Sequence, residues 1–314
     1  MITRYMDFVV KAVKKLSLNE WGSKFLAIFP LTIWLAACTD APKESSLQSS
    51  QDTLYAIPWE EVQAYMKAAP SPLQVAAWLK QEKVSFIREA LHDPTLATKY
   101  GGIQGAATLG IYLTDMAYAY STQHYQEAYE YLSSVNRLAA RYGVDDILSV
   151  DRIRLLEKLQ DRPDSAQKLL SQYYGEMQQR LEETGQQVML RHMILGGWIE
   201  SLHLTLALLE KEPQKQQLAE MITLQKSLIP LLIKLYSIDT AATASSRQVI
   251  QHLLSIQESI NTVVSESTDN RPVTKVEKGV IQMQFTSKAT GLSAQQLHLL
   301  KRPVSELRQY MIKV

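Results

Sequence analysis

The sequence of 314 residues contains a single cysteine, Cys38. One thiol forms no disulfide within its own chain, and it cannot supply the several thiolates of a structural zinc site. Stability must therefore come from packing, and a hydrophobic content of 46% is enough for a sizeable core.

Motifs that carry common enzyme chemistry are also missing. The sequence has no Gly-rich phosphate loop, no nucleophile elbow and no thiol motif. Its six histidines include no His-x-x-x-His pair, so we expect no metal site. We expect no cofactor either.

The charges are nearly balanced, with 33 Lys and Arg against 32 Asp and Glu. A nucleic-acid-binding domain carries a basic excess that neutralises phosphates. We therefore expect no nucleic-acid partner.

The start of the chain predicts a bacterial lipoprotein signal peptide. An apolar run over 25–37 ends in Leu35-Ala36-Ala37-Cys38. Five basic residues precede it: Arg4, Lys11, Lys14, Lys15 and Lys24. A positive region, a short apolar region and small residues before the cleavage site are typical of such peptides. We expect removal of 1–37 and lipidation of Cys38, by diacylglyceryl and palmitate-like chains, with translation starting at Met1 or Met6.

The alternative is a short transmembrane anchor. The apolar run of about 12 residues is shorter than the roughly 20 that a helix needs to cross the hydrocarbon core. Pro30 also lies within it, where it would disturb a helix. These features favour the lipoprotein interpretation.

The acylated cysteine predicts where the protein lies. Two or three acyl chains anchor a protein stably, whereas one chain binds reversibly. Thr39 follows the cysteine, where an Asp would favour the inner membrane, so we expect the outer membrane, on its periplasmic or its surface face. Residues 38–57 are rich in Ser, Gln, Lys and Glu and predict a flexible tether.

The rest of the chain, 58–314, predicts an all-α domain. Apolar residues recur at spacings of three and four, and proline and glycine mark the ends of segments. We expect a multi-helix bundle or a helical-hairpin array, with a main body over 58–267. The predicted helices are 58–66, 73–81, a short one from 93, 101–120, 124–141, 145–160, 164–184, 186–210, 214–236 and 243–267.

The C-terminal part, 268–314, changes character. Residues 280–286 alternate between apolar and polar, which predicts a strand. One strand is not stable alone, so it either pairs with 269–278 as a hairpin or lies as an extended arm on the bundle. Ser293 is expected to cap a last helix that Pro303 interrupts.

Two apolar segments carry glycines inside predicted helices, Gly110 in one and Gly196-Gly197 in the other. A helical glycine costs about 1 kcal/mol relative to alanine, and close approach of two helices would offset that cost. Each segment also contains one acid, Asp115 or Glu200. A buried carboxylate needs partners or stays protonated. The candidate partners of these acids are Tyr112, Tyr118, Trp198, His192 and His203.

These residues allow two interpretations. In one, Asp115 and Glu200 line a polar pocket as acid–base or ligand-orienting groups, together with Tyr112, Tyr118, Trp198 and His203. In the other, which we favour, the same residues form an internal hydrogen-bond network that fixes helix register. His192 and His203 are three turns apart and are expected to share a face.

The two segments also resemble a family of uncharacterised helical lipoproteins from Bacteroidota envelopes. Leu109-Gly110-Ile111-Tyr112 with Asp115-Met116-Ala117-Tyr118 is similar to its first signature, and Gly196-Gly197-Trp198-Ile199-Glu200 to its second. The resemblance spans 70–314 and includes the closing Leu307-Arg308. It implies an all-helical lipoprotein and no particular chemistry. Leu113-Thr114 replaces a family glycine–alanine pair, so looser helix contact is expected there.

We therefore expect a lipid-anchored envelope protein that acts by binding a protein, as a scaffold, assembly factor or accessory subunit. One alternative is a small-molecule binder, and another is a hydrolase that uses Asp115 or Glu200. A water-accessible cavity holding both carboxylates would favour the alternatives, and a solid core would favour the interaction protein.

Overall fold

The structure is a computed structural model that describes residues 71–226, 228–237, 244–267, 273–277, 280–284 and 292–313. The predicted signal peptide, Cys38, the tether over 38–57 and the first predicted helix, 58–66, lie outside the described residues.

The described residues form an all-α fold, as the sequence predicts. The helices are α1 Pro72–Gln81, α2 Gly102–Ser121, α3 Tyr125–Ala139, α4 Val150–Lys158, α5 Pro163–Glu183, α6 Gln187–Lys211, α7 Gln216–Lys226, α8 Ile229–Ser237, α9 Ala244–Ser267 and α10 Ala294–Met311. Short 3-10 turns occur at Arg88–Ala90, Pro94–Lys99, Ala140–Tyr142 and Asp145–Leu148.

Local sequence explains where several helices begin and end. Ser71 and Ser293 start α1 and α10 with capping boxes, in which each side chain accepts a hydrogen bond from the backbone N–H three residues on. Gly143 follows α3 and its 3-10 turn with φ of +69°, and Gly185 follows α5 with φ of +73°. This left-handed conformation ends helices at little cost only when the residue is glycine.

Two predicted helices are divided. The segment 145–160 begins as a 3-10 turn and becomes α4 only at Val150, and the segment 214–236 is split into α7 and α8. Pro230 explains the second break, because proline has no N–H to continue the hydrogen bonds of the preceding helix and fits the first turn of a new one.

A small antiparallel hairpin lies between α9 and α10. Its strands are β1 Val273–Glu277 and β2 Val280–Gln284, with Val273 opposite Gln284. Of the two alternatives for the alternating segment, the pairing with 269–278 is the one observed.

The prediction that Pro303 interrupts the last helix is wrong. Helix α10 continues through Pro303, which is buried. A proline inside a helix removes one hydrogen bond and costs about 3 kcal/mol. Both halves of α10 nevertheless pack on the same core, through Leu300 before the proline and through Val304 and Leu307 after it. This burial offsets the local cost.

Helices α2 and α6 form the centre of the fold. Every residue of α2 from Gly105 to Tyr120 is buried, so neighbours cover the helix on all sides. Helices α1, α3 and α6 pack on α2, while α7 and α10 pack on α6. Helix α6 is long and apolar enough to cross a membrane, with a mean hydropathy of 1.2, but 83% of its most apolar window is buried within the protein.

Glycine brings these two helices into backbone contact. A Cβ added at Gly110 would lie 1.9 Å from the carbonyl oxygen of Met193, and one at Gly196 would lie 2.0 Å from that of Ala107. Such distances are far inside van der Waals contact. The expectation that the helices carrying these glycines meet in the core is therefore confirmed.

The looser contact expected at Leu113-Thr114 is not found. Leu113 is buried, and the Thr114 hydroxyl lies 3.0 Å from the carbonyl oxygen of Gly110 and 3.2 Å from that of Gly197. The threonine thus links α2 to α6 by a hydrogen bond where a smaller residue would only fill space.

Candidate functional site

The contact between α2 and α6 brings Asp115 and Glu200 together. Asp115 lies five residues after Gly110, and Glu200 lies four residues after Gly196, so both acids follow the crossing by about one turn. Both residues are 0% exposed, and the charge of Glu200 acts with burial to raise the pKa of Asp115. Two carboxyl groups in this arrangement share a proton more readily than they carry two negative charges.

Arg308 of α10 is the partner that the sequence did not reveal. Its Nε and one Nη lie 2.5 and 2.8 Å from the two carboxylate oxygens of Glu200. The guanidinium therefore binds the carboxylate in a bidentate manner, which is the strongest geometry for such a pair. The available signal was the position of Arg308 beside Leu307 and Met311, on the apolar stripe of a helix.

The charges in this cluster are balanced. Burial acts to raise the pKa of Glu200, but the adjacent Arg308 outweighs it and holds that pKa below the ordinary value. Burial, and then the charge of Glu200, raises the pKa of Asp115 well above the usual range. The raised pKa favours the protonated form of Asp115, whose Oδ1 has no hydrogen-bond partner among the described residues. In that form the cluster carries one anion, Glu200, and one cation, Arg308.

The predicted site residues bind the protein's own backbone. They hold the connecting segment 82–101, which joins α1 to α2 and contains two 3-10 turns. The Tyr112 hydroxyl donates to the carbonyl of Asp93 at 2.6 Å. The Tyr118 hydroxyl donates to the carbonyl of Ser85 at 2.6 Å and accepts from the N–H of Ile87 at 3.0 Å.

The same segment also contacts Asp115 and His203. The second carboxyl oxygen of Asp115 accepts from the backbone N–H of His92 at 3.0 Å. His203 lies 3.1 Å from the carbonyl oxygen of Ala90, and its Nε2 must be the donor because a carbonyl only accepts. Tyr131 of α3, which sequence reasoning missed, donates to the carbonyl of His92 at 2.7 Å. An irregular segment needs such partners for its backbone groups.

The two remaining predicted partners lie elsewhere. His192 bonds to the carbonyl of Val188, one turn before it, and its ring packs edge-on against Tyr236 at 5.3 Å. His192 and His203 lie three turns apart on the continuous helix α6, as the sequence predicts, but only His203 contacts the connecting segment beside the acids. Trp198 lines a separate cavity.

The arrangement is suited to holding structure. Both acids are 0% exposed, and neither lines the cavities bounded by α3 and α4, by α1 and α5–α8, or by α1, α2 and α5. The spacing Glu-x-x-His occurs at Glu200 and His203, and again at Glu89 and His92. In the described part of the chain, however, no three His, Cys, Asp or Glu side chains converge as metal ligands. A carboxylate without access to water cannot deliver it to a substrate.

His92 makes the stability of this region depend on pH. Burial and the nearby Arg308 lower its pKa from 6.5 to about 4. Between about pH 4 and pH 6.5, His92 therefore binds a proton in the unfolded chain but not in the folded protein. A group of this kind stabilises the fold above pH 6.5, and its contribution is lost as the pH falls towards 4.

We expect the free energy of unfolding to fall by about 1 to 3 kcal/mol between pH 6.5 and 4 because of this group. In a His92→Gln variant the slope should be smaller, since glutamine does not titrate. Urea unfolding at several pH values measures it. A His298→Gln variant, changed at an exposed position of α10, should keep the slope. Equal slopes in all three proteins would contradict the assignment.

No protein-family model, no curated protein and no solved structure matches the chain.

Proposed function

We propose that this chain is a lipoprotein of the cell envelope, anchored in the outer membrane through Cys38, that acts by binding a protein partner. The observation that carries the proposal is a groove between α3 and α4, separate from the buried acids. Its volume is about 540 Å³. The residues lining the groove are Tyr129, Leu132, Ser133, Asn136, Arg137, Ala140, Asp145, Ile153 and Glu157.

The chemistry of this α3–α4 groove suits a peptide segment. Its lining combines an apolar floor with charged side chains, Arg137 on α3 and Asp145 and Glu157 on the other wall. Among the described residues these three form no ion pair with one another or with others. Val150 lies on the same face of α4 as Ile153 and is 64% exposed.

The charges favour one kind of partner. Two acids face one cation, so the groove is complementary to a segment that places a basic side chain beside an apolar one. The apolar residue would cover Val150 and Ile153, and its basic neighbour would meet Asp145 and Glu157. An interaction of this size is moderate, and membrane anchoring would raise the local concentration of both proteins.

The hydrolase alternative has less support. Its two carboxyl groups are buried. Glu200 is paired with Arg308, and Asp115 accepts from the backbone N–H of His92 in the connecting segment. The two acids of the family-like motifs therefore hold the domain together, and the α3–α4 groove lies apart from them.

Charge reversal in the groove tests the proposal. The chain is tagged at Val314, isolated from detergent-solubilised envelope, and its partners are identified by mass spectrometry. Glu157→Arg should reduce recovery of the partner at least tenfold. Glu258→Arg, the same change at an exposed position of α9, should not. Both changes are at the surface and should leave the melting temperature within a few degrees.

The result that would overturn the proposal is equal recovery of every copurifying protein with both variants. The anchor is tested in the same cells with a clickable palmitate analogue. The unchanged chain should be labelled and Cys38→Ala should not. Labelling of Cys38→Ala would show that the lipidation site is elsewhere.

A further inference from the structure

A second cavity, separate from the α3–α4 groove, is lined by two residues whose buried polar atoms have no partner. It has a volume of about 280 Å³ and is enclosed by parts of α1, α5, α6, α7 and α8. Trp198 and Gln225 line it, and they are 7% and 2% exposed. Trp198 Nε1 and Gln225 Oε1 have no hydrogen-bond partner within the protein.

The orientation of the Gln225 amide follows from its neighbours. Its nitrogen lies 3.3 Å from the Thr205 hydroxyl, which itself donates to the carbonyl of Ser201 at 2.7 Å. The threonine has one proton and has used it, so it can only accept from Gln225. The amide therefore presents its N–H to Thr205 and leaves its oxygen without a partner.

Among the polar residues that line the cavity, which include Ser171 and Gln178, one buried donor and one buried acceptor lack partners. Trp198 contributes an indole N–H, which cannot accept, and Gln225 contributes a carbonyl oxygen, which cannot donate. The Ser201 hydroxyl is already used, because it donates to the carbonyl of Gly197 at 2.8 Å. A buried polar atom that lacks a partner costs about 1 to 3 kcal/mol. Two of them beside one cavity indicate that an occupant supplies the missing bonds.

The other lining residues define the rest of the occupant. None of them is charged, so a charged ligand would lose its hydration without compensation. Most of the wall is apolar: Pro72, Val75, Ile194, Leu228, Leu231, Leu232 and Leu235. Apolar walls hold water poorly, and the volume is near the lower end of the range for ligand pockets, about 300 Å³.

We propose that this cavity binds a small, uncharged, mainly apolar molecule through a hydroxyl or primary amide group, which accepts from Trp198 Nε1–H and donates to Gln225 Oε1. This site is independent of the α3–α4 groove and of the proposed protein partner. It lies beside the second family-like motif, so the proposal also gives Trp198 a role that the acid network does not.

Small probes of matched shape test the proposed cavity site. The full chain is studied in phospholipid nanodiscs with 15N-labelled tryptophan. The indole N–H signal of Trp198 is identified by its loss in Trp198→Phe. We expect 4-bromobenzyl alcohol to shift this signal saturably at millimolar concentration. 4-Bromotoluene has the same shape without a donor or acceptor, and it should bind about tenfold more weakly, as expected for one or two lost hydrogen bonds. 4-Bromobenzoate should not bind, because it is charged.

The Gln225→Leu variant distinguishes a loss of ligand recognition from a loss of folding stability. Leucine removes the orphan acceptor, so the variant should melt no lower than the unchanged chain. Its affinity for the alcohol should fall about tenfold, while its affinity for bromotoluene should stay the same. Gln251→Leu, at an exposed position of α9, is the control and should bind like the unchanged chain. Equal affinity for alcohol and bromotoluene, or no saturable shift with either probe, would overturn the proposal.

Discussion

Replacing Gly196 by leucine should lower the free energy of unfolding by about 3 to 5 kcal/mol, or prevent folding altogether. The reason is geometric. The first side-chain atom would lie 2.0 Å from the carbonyl oxygen of Ala107 and 2.8 Å from its carbonyl carbon. These are backbone atoms of a fully buried helix, so relief requires α2 and α6 to move apart. Gly110→Leu should behave alike, since its Cβ would meet the backbone of Met193.

The matched control is Gly175, which lies inside α5. A Cβ there would meet no atom within 4 Å. Gly175→Ala should therefore stabilise the protein by up to about 1 kcal/mol, the intrinsic helix preference of alanine. Thermal and urea unfolding of both variants measure the difference. If Gly196→Leu unfolds at the same urea concentration as Gly175→Ala, the two helices do not cross as the structure has them.

Neighbouring glycines in the sequence are not equivalent in the structure. A Cβ at Gly197 would first meet the ring of Pro72, at 2.6 Å, and lies 3.5 Å from the nearest backbone atom of α2. A side chain of α1 can shift more easily than a helix backbone. Gly197→Ala should consequently cost less than Gly196→Ala, although the sequence motif treats the two alike.

The helical content, the crossing and the burial of both acids could be predicted because each leaves a local signal. Glycine inside an apolar helix and a lone acid among apolar residues are visible within one turn of chain. A buried acid also requires a partner. The sequence indicates this requirement but does not indicate which residue fulfils it. Tyr112 and Tyr118 were expected as partners of the acids, but their hydroxyls donate to carbonyls of the connecting segment instead.

What could not be predicted depends on contacts between distant parts of the chain. Arg308 is 108 residues from Glu200, and nothing near either residue indicates the other. The continuity of α10 through Pro303 has the same origin, because packing of both halves overrides a local preference. The Trp198–Gln225 cavity likewise brings together five helices, and its unpartnered atoms appear only once those helices are placed.

Removing Arg308 should have the second large effect. In Arg308→Met, the buried carboxylate of Glu200 loses its cation, and breaking a buried ion pair in this way costs about 3 to 5 kcal/mol. The control lies on the same helix. Arg302→Met removes an exposed pair with Glu306, in which the arginine side chain is 80% exposed. Exposed pairs contribute about 0.5 kcal/mol or less, so this variant should unfold almost like the unchanged protein.

The pH dependence of Arg308→Met provides a second test. Without the guanidinium, burial alone acts on Glu200 and raises its pKa above the unfolded value. A group with a raised pKa stabilises the fold below its unfolded pKa, and this contribution is lost as the pH rises through the folded pKa. The deficit relative to the unchanged protein should therefore be larger at pH 8 than at pH 5.

A second substitution shows whether the charge or the lost packing is responsible. Adding Glu200→Gln to Arg308→Met removes the uncompensated anion, so the double variant should recover stability at pH 8 and lose the added pH dependence. Urea unfolding of the two single variants and the double variant at pH 5 and pH 8 completes the cycle. If Arg308→Met has the same deficit at both pH values and Glu200→Gln restores nothing, Arg308 stabilises the protein through packing, and the buried ion pair is not what holds α10 to the core.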